Sequence, residues 1–203
     1  GDISVEPIPF AFSDYGYEMV IINTGKGHAD LSAGYSAMPL EMKAVAHELG
    51  GKRLCDTSKE ELLGHLNEID EKLGNDRAIL RALHFFNETE RVEKMAEAVN
   101  KKDFDTILRL MKDSGDSSYK LLQNIYTNEN WKEQKIALAL ALSEEFLSRS
   151  GKGICRVHGG GLAGVIQTVL PKEELSGYVD FMAEYFGREN IYPMNIRLTG
   201  ATV

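Results

Sequence analysis

The sequence predicts an α+β fold, with a helical middle and a small, mostly antiparallel sheet built from both ends of the chain. Three observations predict it. Short β-branched apolar runs lie near both ends, at 17–24 and again within 153–170. Between them, apolar residues recur at helical spacing behind helix-start signals. No repeat, linker or low-complexity tract interrupts the 203 residues, so 1–203 is expected to form a single domain.

The elements follow in order. "YEMVIINT", Tyr17 to Thr24, reads as a buried strand. "GKGHADLSAGYSAMP" reads as a loop rich in Gly and Ser, and Pro39 fits the first turn of a helix. Met42, Val45, Ala46 and Leu49 supply that helix with an i, i+3, i+4, i+7 face, and Gly50-Gly51 stops it. Thr57 with Glu60, and Ser58 with Glu61, are overlapping capping boxes ahead of Leu62-Leu63. A long helix is predicted from Asp76 to about Asn100, with Ile79, Leu83, Phe86, Val92, Met95, Ala96 and Val99 on its apolar face. Asp103 caps the next helix, carrying Ile107, Leu110 and Met111, and Gly115 is expected to interrupt it. Another helix is expected from about Trp131 to Leu147, buried because "IALALAL" is apolar nearly all round. "GICRV" and "VIQTVL" are strand candidates. Pro171 opens a helix that Gly187 ends, and "IYPMNIRL" is a last strand, placed at a sheet edge by Pro193.

A formal net charge of −8 argues against nucleic acid as a partner, because neutralising phosphates needs a basic face. A small anion such as ATP responds to local dipoles more than to net charge. Cys55 and Cys155 lie outside any C-x-x-C or Cys/His cluster, so no metal site is readable, and reduced thiols of a cytoplasmic protein are expected. No apolar run approaches the ~18 residues of a membrane span, and no signal peptide is visible. The chain opens at Gly1 without Met, as a trimmed fragment would.

The chemistry concentrates in "CRVHGGGLAGVIQTVLP", residues 155–171. Gly159, Gly161 and Gly164 spell G-x-G-x-x-G, but the dinucleotide fingerprint needs a helix after the glycines. Here a β-branched run follows and ends at Pro171, so the glycines join strand to strand and the Rossmann reading fails. A Walker A loop fails too, for want of a following Lys-Ser or Lys-Thr. Two readings remain: a hairpin turn using glycines at positive φ, or bare main chain kept for the close approach of a ligand or facing loop.

"GICRVHGGGLAGVIQ" resembles the third conserved motif of the GHMP small-molecule kinases, and specifically of galactokinases. "NTGKGHADLSAGYSAMPLEMKAVAHELG" resembles the galactokinase segment that follows the catalytic aspartate. "RALHFFNETERVEKMAEAVNKKDFDTILRLMKDSG" resembles its long helical stretch, and "YPMNIRLTGATV" its C-terminal strand and tail. The resemblance covers essentially the whole chain and implies a GHMP-kinase C-terminal lobe, its sheet packed against a helical layer. It implies a parent that moves the γ-phosphate of ATP to the anomeric hydroxyl of galactose or a related sugar, with Mg²⁺. The family's sugar-recognition segment, phosphate loop and catalytic Asp have no counterpart in the sequence. ATP and Mg²⁺ are therefore expected mainly on an N-terminal lobe, and this chain alone is expected to be inactive.

The resemblance also assigns roles. Gly159, Gly160 and Gly161 match the loop that packs under the phosphate loop. Arg156, three residues before them, is either a charge on the phosphate side or a strand arginine paired to an acid. Tyr35 matches the tyrosine that contacts the sugar; otherwise it is a half-buried tyrosine closing its loop onto a helix. His28 matches a family histidine, and Asp30 suits an Asx turn. The sequence departs from the family at Gly27 and "AMPLEM", where many galactokinases carry basic residues, and at Ser114-Gly115, where the family has Ser-His. The alternatives are a non-catalytic regulator that senses sugar and ATP, or a GHMP kinase for another sugar such as galacturonate or N-acetylgalactosamine. The lobe reading requires the glycines to lie near Tyr35 and not to be covered by the chain's own helices. The sequence does not give the oligomeric state, though dimerisation of a fragment through an apolar lobe face would be unsurprising.

Overall fold

The computed structural model of the chain describes residues 7–25, 31–128, 130–162 and 164–196. Among them are four strands, β1 (Tyr17–Asn23), β2 (Ile154–His158), β3 (Val165–Pro171) and β4 (Ile191–Met194). They form one antiparallel sheet in the order β2-β3-β1-β4, so both ends of the chain supply it. The helices are α1 (Ser32–Glu48), α2 (Lys59–Gly64), α3 (Leu66–Leu73), α4 (Asp76–Lys101), α5 (Phe104–Ser117), α6 (Lys135–Leu147) and α7 (Leu175–Phe186). Pro193 is on the edge strand β4, opposite Val20, where its missing N–H costs no interior ladder bond.

Strand alternation decides which side chains face which layer. Val20, Ile22, Val157, Ile166 and Leu170 pack with Leu140 and Leu147 of α6 and Tyr178 and Met182 of α7. Across this layer the buried Tyr178 hydroxyl bonds both Ser143 Oγ and Thr168 Oγ1, each at 2.7 Å. The opposite face sends Ile154 and Val169 against Ile107, Leu110 and Met111 of α5 and Ala98 of α4. A separate cluster joins α1 to α4 through Val45, Ala46, Ile79 and Phe86, with Leu62 and Ile69 closing it from α2 and α3. The expected face of Met42, Val45, Ala46 and Leu49 is thus the one that packs.

Caps explain several boundaries. Ser58 Oγ accepts from the Glu61 N–H at 3.1 Å while Glu61 Oε2 accepts from the Ser58 N–H at 2.7 Å, which fixes the start of α2. The second expected box is not formed, because the Thr57 hydroxyl turns back to the Leu54 carbonyl at 2.9 Å. Asn75 caps α4 and Asp103 caps α5.

Three further expectations are corrected. First, α1 begins at Ser32, well before Pro39, and Pro39 lies inside it. Proline's preference for a first turn is overridden because Leu31 and Tyr35 are already anchored against Leu162 and Met38. Second, Gly115 does not interrupt α5, which runs on to Ser117 and then into a π-helical turn at Ser118–Leu122. Gly115 is there for packing: a Cβ at that position would sit 2.7 Å from the Arg156 Cβ and 3.3 Å from its Cα. Third, α6 starts at Lys135 and is not buried all round, since Leu138 is 52% exposed.

An apolar groove of about 550 Å³ opens beside the sheet, lined in part by Phe10, Met19, Val92, Met95 and Val99. Val92, on the expected apolar face of α4, is itself 66% exposed at this groove.

Gly115→Ala therefore runs against the helix-propensity rule. The substitution is expected to destabilise by about 1–3 kcal/mol through overpacking on the β2 backbone. Gly64→Ala, at the end of α2 where a Cβ meets nothing within 4 Å, is expected to stabilise by about 0.4–1 kcal/mol. Urea denaturation of both variants checks the contrast.

Candidate functional site

The glycine turn joins β2 to β3 directly beyond the pair His158↔Val165. The end of β1 is tied to it, because the Thr24 N–H and hydroxyl both donate to the Gly164 carbonyl at 2.8 Å. Gly159 and Gly160 are exposed, whereas Gly161 is buried.

Two side chains from elsewhere in the chain grip this turn. The Tyr35 hydroxyl, from the first turns of α1, donates to the Gly161 carbonyl at 2.6 Å. Asn124 Nδ2 donates to the Gly160 carbonyl at 3.3 Å, and the Asn124 carbonyl accepts from the Leu162 N–H at 2.6 Å. The close approach needs glycine. A Cβ on Gly160 would lie 2.8 Å from the Tyr35 ring, and one on Gly161 would lie 2.0 Å from the Asn124 carbonyl oxygen. Leu162 follows at φ 55, a left-handed conformation unfavourable for a leucine. Its buried side chain, packed with Leu31, Tyr35 and Met38, offsets that cost.

The consequence is an array of main-chain donors. Among the described residues no acceptor takes the N–H groups of Gly159, Gly160 or Gly161. The peptide bond is planar and trans, so an N–H points opposite to the carbonyl it is bonded to. With the Gly160 carbonyl held by Asn124, the Gly161 N–H points away from Asn124. Gly159 and Gly161 have φ of 68 and 70, on either side of a residue without positive φ. Successive N–H groups in a turn are the kind of main-chain array that binds anions.

Asn124 is itself held by a charged network. Arg81 donates through Nε to the Leu122 carbonyl at 3.0 Å, where the π-helical turn ends. The same guanidinium meets Glu41 Oε2 at 2.7 Å, and Arg77 meets Glu41 Oε1 at 2.6 Å. Arg81 is 3% exposed and Glu41 13%. Burial alone would raise the Glu41 carboxyl's pKa; the Arg77 hydrogen bond and the two guanidinium charges outweigh it and hold the carboxyl below its ordinary value.

Tyr35 and Gly159–Gly161 are thus brought together, with Tyr35 on a helix and not in a loop. His28, and with it Asp30, lies outside the described residues. Arg156 sits on β2 under α5, where Nε donates to the Val157 carbonyl at 3.1 Å. Burial, then the charge of Arg91, lowers its pKa. Among the described residues no carboxylate pairs with it. Ser114, at the departure from the family's Ser-His pair, donates to Glu88 at 2.6 Å. The sequence reading missed Asn124, Glu41 and Arg81. Asn124 has no local signal at all, since its importance comes only from the turn it meets across the fold. No group of three or more His, Cys, Asp or Glu side chains among the described residues could hold a metal. No helix among them is long and apolar enough to cross a membrane.

A four-stranded antiparallel sheet between helical layers, with a glycine hairpin at one end, is the α+β fold expected of a GHMP-kinase C-terminal lobe. Two solved structures share the fold. Galactokinase of Lactococcus lactis complexed with galactose superposes with a TM-score of 0.65 at 19% identity, covering 88% of this chain and 45% of that one. Mevalonate kinase of L. major with R-mevalonate superposes with a TM-score of 0.50 at 13% identity, covering 97% and 46%. No family model matches the sequence. Curated relatives narrow the class: the chain is 27% identical over 188 residues to galactokinase of Glaesserella parasuis serovar 5, spanning 93% of this chain and 45% of the relative. Galactokinases of Actinobacillus pleuropneumoniae, at 25% over the same length, and of Thermotoga petrophila, at 28% over 164 residues, match similarly. The chain is similar to galactokinases along most of its own length, as a C-terminal portion of one would be, and spans about half the length of the relatives it matches.

Two outcomes test the electrostatics. Glu41→Gln leaves Arg81 buried without its carboxylate and is expected to destabilise by about 3 kcal/mol, read from urea denaturation. His84, whose Nδ1 lies 2.9 Å from Ser117 Oγ, has its pKa lowered to about 4 by burial and by the charges of Arg91 and Arg156, against the Ser117 contact. A depressed folded pKa means that the unfolded chain protonates first. Stability is therefore expected to fall as pH drops from 6.5 through about 4, and His84→Gln should flatten that slope in a series of urea midpoints.

Proposed function

We propose that this chain is the C-terminal lobe of an ATP-dependent sugar 1-kinase of galactokinase type. The observation that carries the reading is the N–H array of Gly159–Gly161, which has no acceptor among the described residues and lies against Tyr35, in a chain similar to galactokinases. In the proposed reaction the anomeric hydroxyl oxygen of the sugar attacks the γ-phosphorus, the bond to the bridging oxygen of ADP breaks, and the hydroxyl proton leaves to a base on the other lobe. Charge develops on the equatorial phosphoryl oxygens. Main-chain N–H groups already fixed in direction stabilise that charge without reorganising at the moment of transfer. Tyr35 would meet the sugar, packing its ring on a pyranose face. ATP supplies the phosphoryl group. Mg²⁺, as the resemblance to galactokinases implies, would be held mainly by the other lobe, through oxygen ligands.

The remaining length of the relatives supports a second lobe as partner, and the apolar groove at Met19, Val92 and Met95 is a surface that such a lobe would cover.

The test is ATP-dependent phosphorylation of galactose, galacturonate and N-acetylgalactosamine, by the 203-residue chain and by a protein of full galactokinase length that contains it. The expected result is galactose 1-phosphate from the longer protein and no turnover by the chain alone. Turnover by the chain alone overturns the lobe assignment. A longer protein that binds galactose and ATP without turnover identifies a regulator instead.

A further inference from the structure

We propose that Asn124 and Tyr35 are positioning residues that fix the two peptide planes on either side of Gly161, and that Asn124 thereby sets the direction of the Gly161 N–H. Two successive peptide planes are fixed by two side chains from distant parts of the sequence. The plane between Gly160 and Gly161 is held at its carbonyl by Asn124 Nδ2. The plane between Gly161 and Leu162 is held at both ends, its carbonyl by the Tyr35 hydroxyl and its N–H by the Asn124 carbonyl. Glycine has no side chain to restrain its own dihedrals, so without these grips either plane can rotate and turn a carbonyl toward the ligand. A carbonyl facing a phosphate repels it, where an N–H attracts it.

The amide of Asn124 fits a role in direction more than in stability. Asn124 is 1% exposed, and among the described residues its Oδ1 has no hydrogen-bond partner. Exchanging Oδ1 and Nδ2 would not help, because it would set two acceptors against each other at the Gly160 carbonyl. A buried acceptor left unpaired is unfavourable, so a residue chosen for stability alone would not be an asparagine here.

Tyr35 has a second consequence, which rests on the kinase reading. Its single hydroxyl proton is committed to the Gly161 carbonyl, so toward a substrate the phenol oxygen can only accept. The substrate group that meets it must be a donor: a sugar hydroxyl and not a carboxylate or a phosphate oxygen. The same oxygen would then touch the sugar and the turn that faces the phosphate.

The experiment compares Tyr35→Phe and Asn124→Ala with the unaltered chain. Tyr35→Phe keeps the ring against Gly160. Asn124→Ala keeps the main-chain bond to Leu162 and removes the orphaned acceptor together with its weak donor, so its urea midpoint is expected to stay close to that of the unaltered chain. Backbone ¹⁵N relaxation then reads the turn directly. Heteronuclear NOE values at Gly159–Gly161 are expected to drop in both variants and nowhere else. Inorganic tripolyphosphate, titrated against the same amides at constant ionic strength, is expected to bind at least ten-fold more weakly to both. Galactose-induced shifts should change with Tyr35→Phe and persist with Asn124→Ala. Unchanged NOE values in both variants overturn the positioning role. A drop in one variant alone assigns the role to that residue and removes it from the other. Lower NOE values with no tripolyphosphate binding by any form leave the anchors standing and count against the kinase reading instead.

Discussion

The Glu41 carboxylate, shared between Arg77 and Arg81, is the contact on which the site depends. It stands on α1, and its partners stand on α4. Arg81 passes the constraint on, because its Nε holds the last carbonyl of the π-helical turn. From there the chain needs only Gln123, at φ 57, to deliver Asn124 to the glycine turn. That turn is gripped in return by Tyr35, which is again on α1. The path is closed. A displacement of α1 against α4 would be felt twice at the glycines, once through Arg81 and Asn124 and once through Tyr35. Burying an ion pair seldom adds much net stability, but a pair with one partner removed is strongly unfavourable. Such a contact suits the fixing of geometry.

The sheet supplies the other half of the frame. β3 pairs with β1 on one side and β2 on the other, so the hairpin is anchored to the rest of the sheet through its β3 arm, while β2 is an edge strand. Both sheet faces are covered, by α6 and α7 on one side and by α4 and α5 on the other. The glycines project beyond this rigid body at one end, joined to β1 by Thr24. A turn with little side-chain substance of its own thus borrows its rigidity from four separate elements. Local flexibility and global fixation coexist because the restraints act on peptide planes and not on side chains.

Much of the fold was legible in the sequence, for a physical reason: strands and capped helices advertise themselves locally. The alternation in "VIQTVL", the capping box at Ser58 and the long apolar stripe after Asp76 each need only a few neighbouring residues to be read. The start of α1 was not legible. Pro39 marks a first turn by local preference, and only the packing of Leu31 and Tyr35 on Leu162 reverses it. Gly115 misled in the same way: in isolation it reads as a breaker, and only Arg156 across the fold shows it as a point of close approach. In the candidate site the glycines and Tyr35 were visible as residue types, but their mutual contact was not. Asn124, Glu41 and Arg81 lie in ordinary helical or polar sequence, and nothing but the tertiary structure distinguishes them.

The local costs of the site lie together. Leu162 holds a left-handed backbone, Asn124 buries an acceptor with no donor among the described residues, and Gly161 has no room for a Cβ. Each is unfavourable taken alone, and all three fall within contact of one turn. Folding alone would relieve at least the first two with a glycine at 162 and an apolar residue at 124. Their retention in one place gains sense if the turn must present its N–H groups outward in a fixed direction. It also reconciles a chain of net charge −8 with an anionic ligand. Attraction here would come from oriented main-chain dipoles a few ångströms from the ligand, where the summed charge of a distant, solvated surface is largely screened.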